Sequence, residues 1–231
     1  MITIALDTAS PRGEVALLRD GQLLGAHSFP RLAGDDGLFA ALARLGRAHP
    51  QMLGAVELIG VGLGPGSFTG IRAGLAAAKG LALPRHVPIT GVNTFDALAL
   101  TAQPRMPADA ARLCVLCDAR RDEIYCAFYD RDGARPGDVQ IRPLESMVDM
   151  IHDPVWFVSW EIERYAEPLR SLLGGFALLA PTLYPGAAAV GQLAERRFFA
   201  RARQGDPSLE PCYLRPLQYR TIASAPPTTL D

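Results

Sequence analysis

The stretch ITIALDTASPRGEVALLRDG (residues 2–21) recurs in outline as LCVLCDARRDEIYCAFYDRDG (residues 113–133). Each lays out an apolar strand ending in an aspartate, Asp7 or Asp118, then a polar turn, a second strand and an Asp-Gly turn at Gly21 or Gly133. Asp-Gly between two strands is a strong hairpin signal, because both residues tolerate the positive φ of a tight turn. In the first half QLLGAHSF (22–29) adds a third antiparallel strand. Two hairpin-led units, each followed by helices and further strands, predict a duplicated α/β protein with a cleft between its halves.

Leu38, Leu42 and Leu45 recur at helical spacing. AVELIGVGLG (55–64) and VPITGV (87–92) are short buried strands, a helix runs from Thr69 to Leu83 before Pro84, and Asn93 or Thr94 can cap a helix over TFDALALTA (94–102). In the second half LESMVDMI (144–151), EIERYAEPLRSLL (161–173) and GAAAVGQLAERRFFARAR (186–203) read as helices, and VWFVSW (155–160) as a strand. The Pro-containing stretch AQPRMPADAA (102–111) marks the boundary. The expected division is 1–104 and 105–212, with an extended or disordered tail over 213–231.

Composition narrows the function classes. With 49% hydrophobic and 20% charged residues and a formal charge of −1, the chain is an ordinary globular protein with no general attraction to nucleic acid. Lys79 is its only lysine. No apolar run approaches the roughly 20 residues that span a bilayer, and MITIALDTAS lacks the basic flank of a signal peptide, so the expected location is cytoplasmic, away from membranes. Cys114 and Cys117 have C-x-x-C spacing, but positions three apart on a strand face opposite sides, so buried thiols are expected. The four histidines are scattered and none pairs with another at metal-ligand spacing.

GPGSFTGIRAG (64–74) looks at first like a phosphate loop. Counted from Gly64, however, the position where both the Walker A and the G-x-G-x-x-G patterns need glycine is Thr69. What remains is a strand-to-helix turn in which Gly64 and Gly66 allow positive φ and Ser67 or Thr69 caps the helix. Gly70, Gly74 and Ala78 then recur every four residues beside Ile71 and Leu75. A strip this small lets another helix, the sheet or a second subunit, come close.

At these residues the chain resembles the bacterial TsaB family, also called YeaZ, of tRNA threonylcarbamoyladenosine biosynthesis. The resemblance rests on IALDTAS (4–10), GPGSFTGIRAGLAAAKGLA (64–82), GVNTFDALA (91–99), DARRDEIYCAFY (118–129) and EPCYLRP (210–216), in order along the chain. It implies a duplicated actin-like, Hsp70-like ATPase fold, abbreviated ASKHA, of two similar subdomains. It implies a role in making N6-threonylcarbamoyladenosine at position 37 of tRNA, as the partner of the catalytic subunit TsaD, with the small ATPase TsaE joining and tRNA reached through the complex.

The resemblance also assigns residues. The catalytic relative carries a His-x-x-x-His pair after the equivalent GVN, where this chain has Thr94 and Leu98. No catalytic residue, no metal and no cofactor is therefore expected. The family contact implies a partner interface of Leu38, Leu42, Leu45, Gly70, Ile71, Gly74, Leu75 and Ala78, through which the chain alone could form a homodimer. On this reading Gly74→Leu would keep the fold and block pairing. RLAGDDGLF (31–39) departs from the family at the start of the first helix. Asp7, Thr8 and Asp118 stand where actin-like ATPases hold magnesium and phosphate, and are expected to be the vestige of a nucleotide site. The rival readings are a stand-alone actin-like ATPase or small-molecule kinase, and a metalloprotease, which the absent histidine pair opposes.

Overall fold

The computed structural model describes residues 1–30, 37–206 and 208–214. Strands β1 (Ile2–Asp7), β2 (Arg12–Arg19), β3 (Gln22–Pro30), β4 (Leu58–Gly62) and β5 (Ile89–Val92) form one sheet in the order β3-β2-β1-β4-β5. A second sheet holds β6 (Arg112–Arg120), β7 (Glu123–Tyr129), β8 (Gln140–Pro143), β9 (Val155–Val158) and β10 (Ala177–Leu179), in the order β8-β7-β6-β9-β10. The order matches strand for strand. In both sheets the first three strands are antiparallel and the last two join parallel to the first. The duplication read from the two hairpins is therefore the architecture of the molecule.

Local chemistry sets the ends of these elements. Asp20 (φ 51) and Gly21 (φ 75) make the tight β2–β3 turn, whereas Gly133 (φ 86), expected to make the same turn, donates to the Asp130 carbonyl at 2.9 Å within the longer connection from β7 to β8. The helices are α1 (Leu38–Ala48), a short α2 (Pro50–Leu53), α3 (Phe68–Ala82), α4 (Thr94–Ala102), α5 (Ile162–Leu173) and α6 (Ala187–Ala200). Ser67 caps α3 by accepting from the Gly70 N–H at 3.2 Å, and Asn93 caps α4 by accepting from the Phe95 N–H at 2.9 Å. Each such cap satisfies one of the donors a helix start leaves free.

Strand alternation assigns the faces. Ile4, Leu6, Val15 and Leu17 point to α1 and α3, while Ala5, Ala16 and Leu18 point to α6. In the second sheet Cys114 and Leu116 face α5, and Leu113, Val115 and Cys117 face α4. The two C-x-x-C thiols thus lie on opposite faces, both free and buried. On α4, Phe95 and Leu98 are fully buried, worth roughly 1.5–3 kcal/mol each.

The helices cross over between the units. α4, which precedes the expected boundary, packs on β6 and β9, and α6, which follows it, packs on β1, β2, β4 and β5. A cut at 104/105, as expected from the sequence, separates the two sheets, with α4 and α6 each packing across it. Residues 144–149, expected as an α-helix, form a 3-10 helix, and β8 and β10 were not anticipated from the sequence. Of the tail expected over 213–231, residues 215–231 lie outside the described residues, as do 31–36 of the divergent segment before α1.

Candidate functional site

The Gly-rich turn is occupied by the chain itself. A Cβ on Gly66 (φ +151) would lie 2.5 Å from the Ala9 carbonyl oxygen, and one on Gly64 (φ +93) would lie 2.6 Å from Ile71 Cδ1. The Ser67 N–H donates to the Ala9 carbonyl at 2.7 Å, and the Gly64 N–H to the Thr94 hydroxyl at 3.1 Å. Two backbone donors of the turn are thus used within the chain. They are spent on the β1–β2 turn and on α4, while Thr69 stands exposed beyond the cap.

Asp7, Thr8 and Asp118 do not converge on one open site. Asp7 is buried, with Oδ1 accepting from the Ala9 N–H at 2.9 Å and Oδ2 from the Thr94 hydroxyl at 2.8 Å. Burial pushes its carboxyl up to about 6 against the pull of those two bonds. Thr8 is buried too, its hydroxyl donating to the Gly70 carbonyl at 2.7 Å. Only Asp118 faces the cleft between the halves. Of the three residues expected at a vestigial nucleotide site, packing uses Asp7 and Thr8 as structural ties.

That cleft encloses about 670 Å³ and is lined by Gly66, Ser67, Phe68, Thr69, Trp160 and Glu161 together with Asp118. The Asp118 carboxylate accepts from the Arg120 N–H at 2.9 Å and pairs with Arg164 at 3.0 Å. Partial burial disfavours its charge, but these contacts outweigh it and hold the carboxyl below the usual range. The Asp118 N–H in turn donates to Glu161 at 2.6 Å. The acid is already answered by the protein's own cations.

The residues expected at the partner interface lie as follows. Gly70, Ile71, Gly74, Leu75, Ala78 and Leu45 are all buried, and Leu38 and Leu42 pack half-buried against the same core. The small residues let α3 settle on β1: a Cβ on Gly74 would lie 2.3 Å from the Thr8 hydroxyl. All eight residues serve internal packing. The exposed side of α3 instead carries Phe68, Arg72, Ala73, Ala76, Lys79 and Gly80, continuing to Leu83, which is 71% exposed. Its cations gave a sequence signal for the outward face, because Arg72 and Lys79 cannot share a stripe with the core.

The two α4 positions singled out in the sequence are both fixed in place. Thr94 is fixed between Asp7 and Gly64, and Leu98 is fully buried in the core. Among the described residues no cluster of three or more potential metal ligands occurs, and no helix is long and apolar enough to cross a membrane.

Comparison with known proteins gives these features a context. A family model described as TsaD, tRNA N6-adenosine threonylcarbamoyltransferase, matches residues 48–155. The tRNA threonylcarbamoyladenosine biosynthesis protein TsaB of Escherichia coli is 33% identical over 132 residues, covering 57% of this chain and 56% of that relative. The chain's match thus spans little more than half the length of that curated relative. YeaZ from Pseudomonas aeruginosa superposes with a TM-score of 0.71 at 30% identity, covering 87% of this chain and 92% of that structure. A second P. aeruginosa structure, described as similar to peptidase YeaZ, gives a TM-score of 0.75 at 27% identity, covering 93% and 99%. The fold shared with these neighbours is the duplicated actin-like α/β fold.

Proposed function

The chain belongs to the TsaB (YeaZ) family, and on that premise we propose that it is a non-catalytic subunit of the machinery that makes N6-threonylcarbamoyladenosine in tRNA. In this reading it pairs with TsaD, the transferase subunit, and TsaE joins the pair. The observation that carries the non-catalytic part is the state of Thr94 and Leu98. Where the catalytic relative has two metal-binding histidines one helical turn apart, this chain has a hydroxyl tied to Asp7 and a side chain sealed in the core.

Pairing is assigned to the outward side of α3. Ala73, Ala76 and Gly80 keep that side low, so a helix of the partner can come close, and Phe68 and Leu83 add apolar area at its two ends. The test is size-exclusion chromatography with light scattering on the chain mixed with TsaD of the same organism. A one-to-one complex is the expected result. Failure to pair, together with ATP turnover by the chain alone, would return the function to the cleft and to a stand-alone ATPase.

A further inference from the structure

At the start of α3 the structure holds one arginine in a fixed pose. The Arg72 guanidinium lies over the Phe68 ring, 3.9 Å from its centroid, and its Nε donates to the Tyr213 hydroxyl at 2.8 Å. Phe68 and Tyr213 stack on each other with centroids 5.5 Å apart. Neither terminal nitrogen of Arg72 has a hydrogen-bond acceptor among the described residues.

Tyr213 is delivered by a segment that follows the edge of the first sheet. The Asp206 N–H donates to the Ile89 carbonyl and the Asp206 carboxylate accepts from the Gly91 N–H, at 2.8 and 2.7 Å. Leu209 joins the core, and the Cys212 N–H donates to the Leu63 carbonyl at 2.8 Å. Four anchors thus place the tyrosine before it meets Arg72. Ordering a long side chain in advance removes much of the entropy cost that weakens an ordinary surface ion pair.

We propose that Arg72, held by Phe68 and Tyr213, receives a carboxylate of the protein that docks on the outward side of α3. The proposal rests on the pairing with TsaD argued above and adds the chemistry of recognition. A planar fork with its terminal donors unused matches a carboxylate in two-point geometry. Residues 68–85 carry Arg72, Lys79 and Arg85 and no acid, so a second copy of this face would meet like charge, whereas an acidic partner would not. The apolar residues between the cations, Ala73, Ala76 and Leu83, suit a protein surface better than a nucleic acid backbone.

The test measures the Kd of the chain with TsaD for wild type, Arg72→Gln and Tyr213→Phe, at low and high salt, with thermal melting of each variant alone. Arg72→Gln should weaken binding about tenfold or more and flatten its salt dependence. Tyr213→Phe keeps the stack and the charge but loses the Nε bond, and should weaken binding by a smaller factor with the salt dependence retained. Wild-type affinity and salt dependence in Arg72→Gln would overturn the carboxylate contact while leaving the pairing intact. A wild-type chain that does not bind TsaD at all would overturn both. Self-association, or binding of bare tRNA, that Arg72→Gln abolishes would give this arginine another occupant and overturn the proposal.

Discussion

Gly74 and Thr8 leave no room between them: a Cβ built on the glycine falls 2.3 Å from the threonine hydroxyl, and that hydroxyl already donates to the Gly70 carbonyl. The contact sets how deeply α3 sits on β1. It also decides which side of α3 is inside.

Gly74→Leu is therefore a folding variant. Four added carbons would lift α3 from the sheet or displace β1, and the expected loss is about 3 kcal/mol or more. Chemical denaturation gives the answer. A midpoint equal to wild type would show that the packing of α3 on β1 is not as described.

Ala76→Arg is the contrasting variant, because Ala76 is exposed on the other side. Its melting temperature should stay near wild type, as most exposed substitutions stay within about 0.5 kcal/mol. Co-elution with TsaD should be lost, since a long cation would fill the approach path. Normal melting with normal co-elution would move the docking surface elsewhere.

Asp7 makes stability depend on pH in an unusual direction. Its folded value of about 6 lies above the ordinary 3.8, so the folded protein holds the proton more tightly. The stability it contributes is fully present below about pH 4 and is lost as pH rises through 6. At about 1.4 kcal/mol per pH unit the difference comes to roughly 3 kcal/mol. Asp118 and Glu163 are held low and act in the opposite sense, so the comparison must be between wild type and Asp7→Asn. Relative to wild type, Asp7→Asn should gain stability between pH 4 and pH 8. Parallel curves would contradict the burial of a charged Asp7.

Asp96 ties the two units together. It accepts from the Tyr129 hydroxyl at 2.9 Å and pairs with Arg135 at 3.0 Å and Arg197 at 3.1 Å. Asp96→Ala should cost about 1–3 kcal/mol, mostly from the buried Tyr129 hydroxyl left without its acceptor, because Arg197 is 43% exposed and loses little. Thermal unfolding with no change in midpoint would contradict this.

Much of the fold was legible because its strongest signals are local. The aspartate-ended strands and Asp-Gly turns of residues 2–21 and 113–133 announced the duplication, and Ser67 and Asn93 cap the helices that their positions suggested. What local pattern could not carry was the crossing of α4 and α6 between sheets, which depends on contacts distant in sequence. β8 and β10 were too short, at four and three residues, to show alternation. The orientation of α3 was hard to read for a different reason. α3 carries small residues on both sides, Gly70, Gly74 and Ala78 inward and Ala73, Ala76 and Gly80 outward, so smallness alone does not orient it. The accompanying side chains do, with Ile71 and Leu75 on one side and Arg72 and Lys79 on the other.

Whether this chain is a required subunit is decided by the rate of threonylcarbamoyladenosine formation on tRNA, with TsaD, TsaE and threonylcarbamoyl-adenylate supplied, in three reactions: without this chain, with it, and with Ala76→Arg. Modification is expected only in the second. Equal rates with and without the chain would contradict its role as a required subunit, and full activity with Ala76→Arg would contradict the outward side of α3 as the place where that role is exercised.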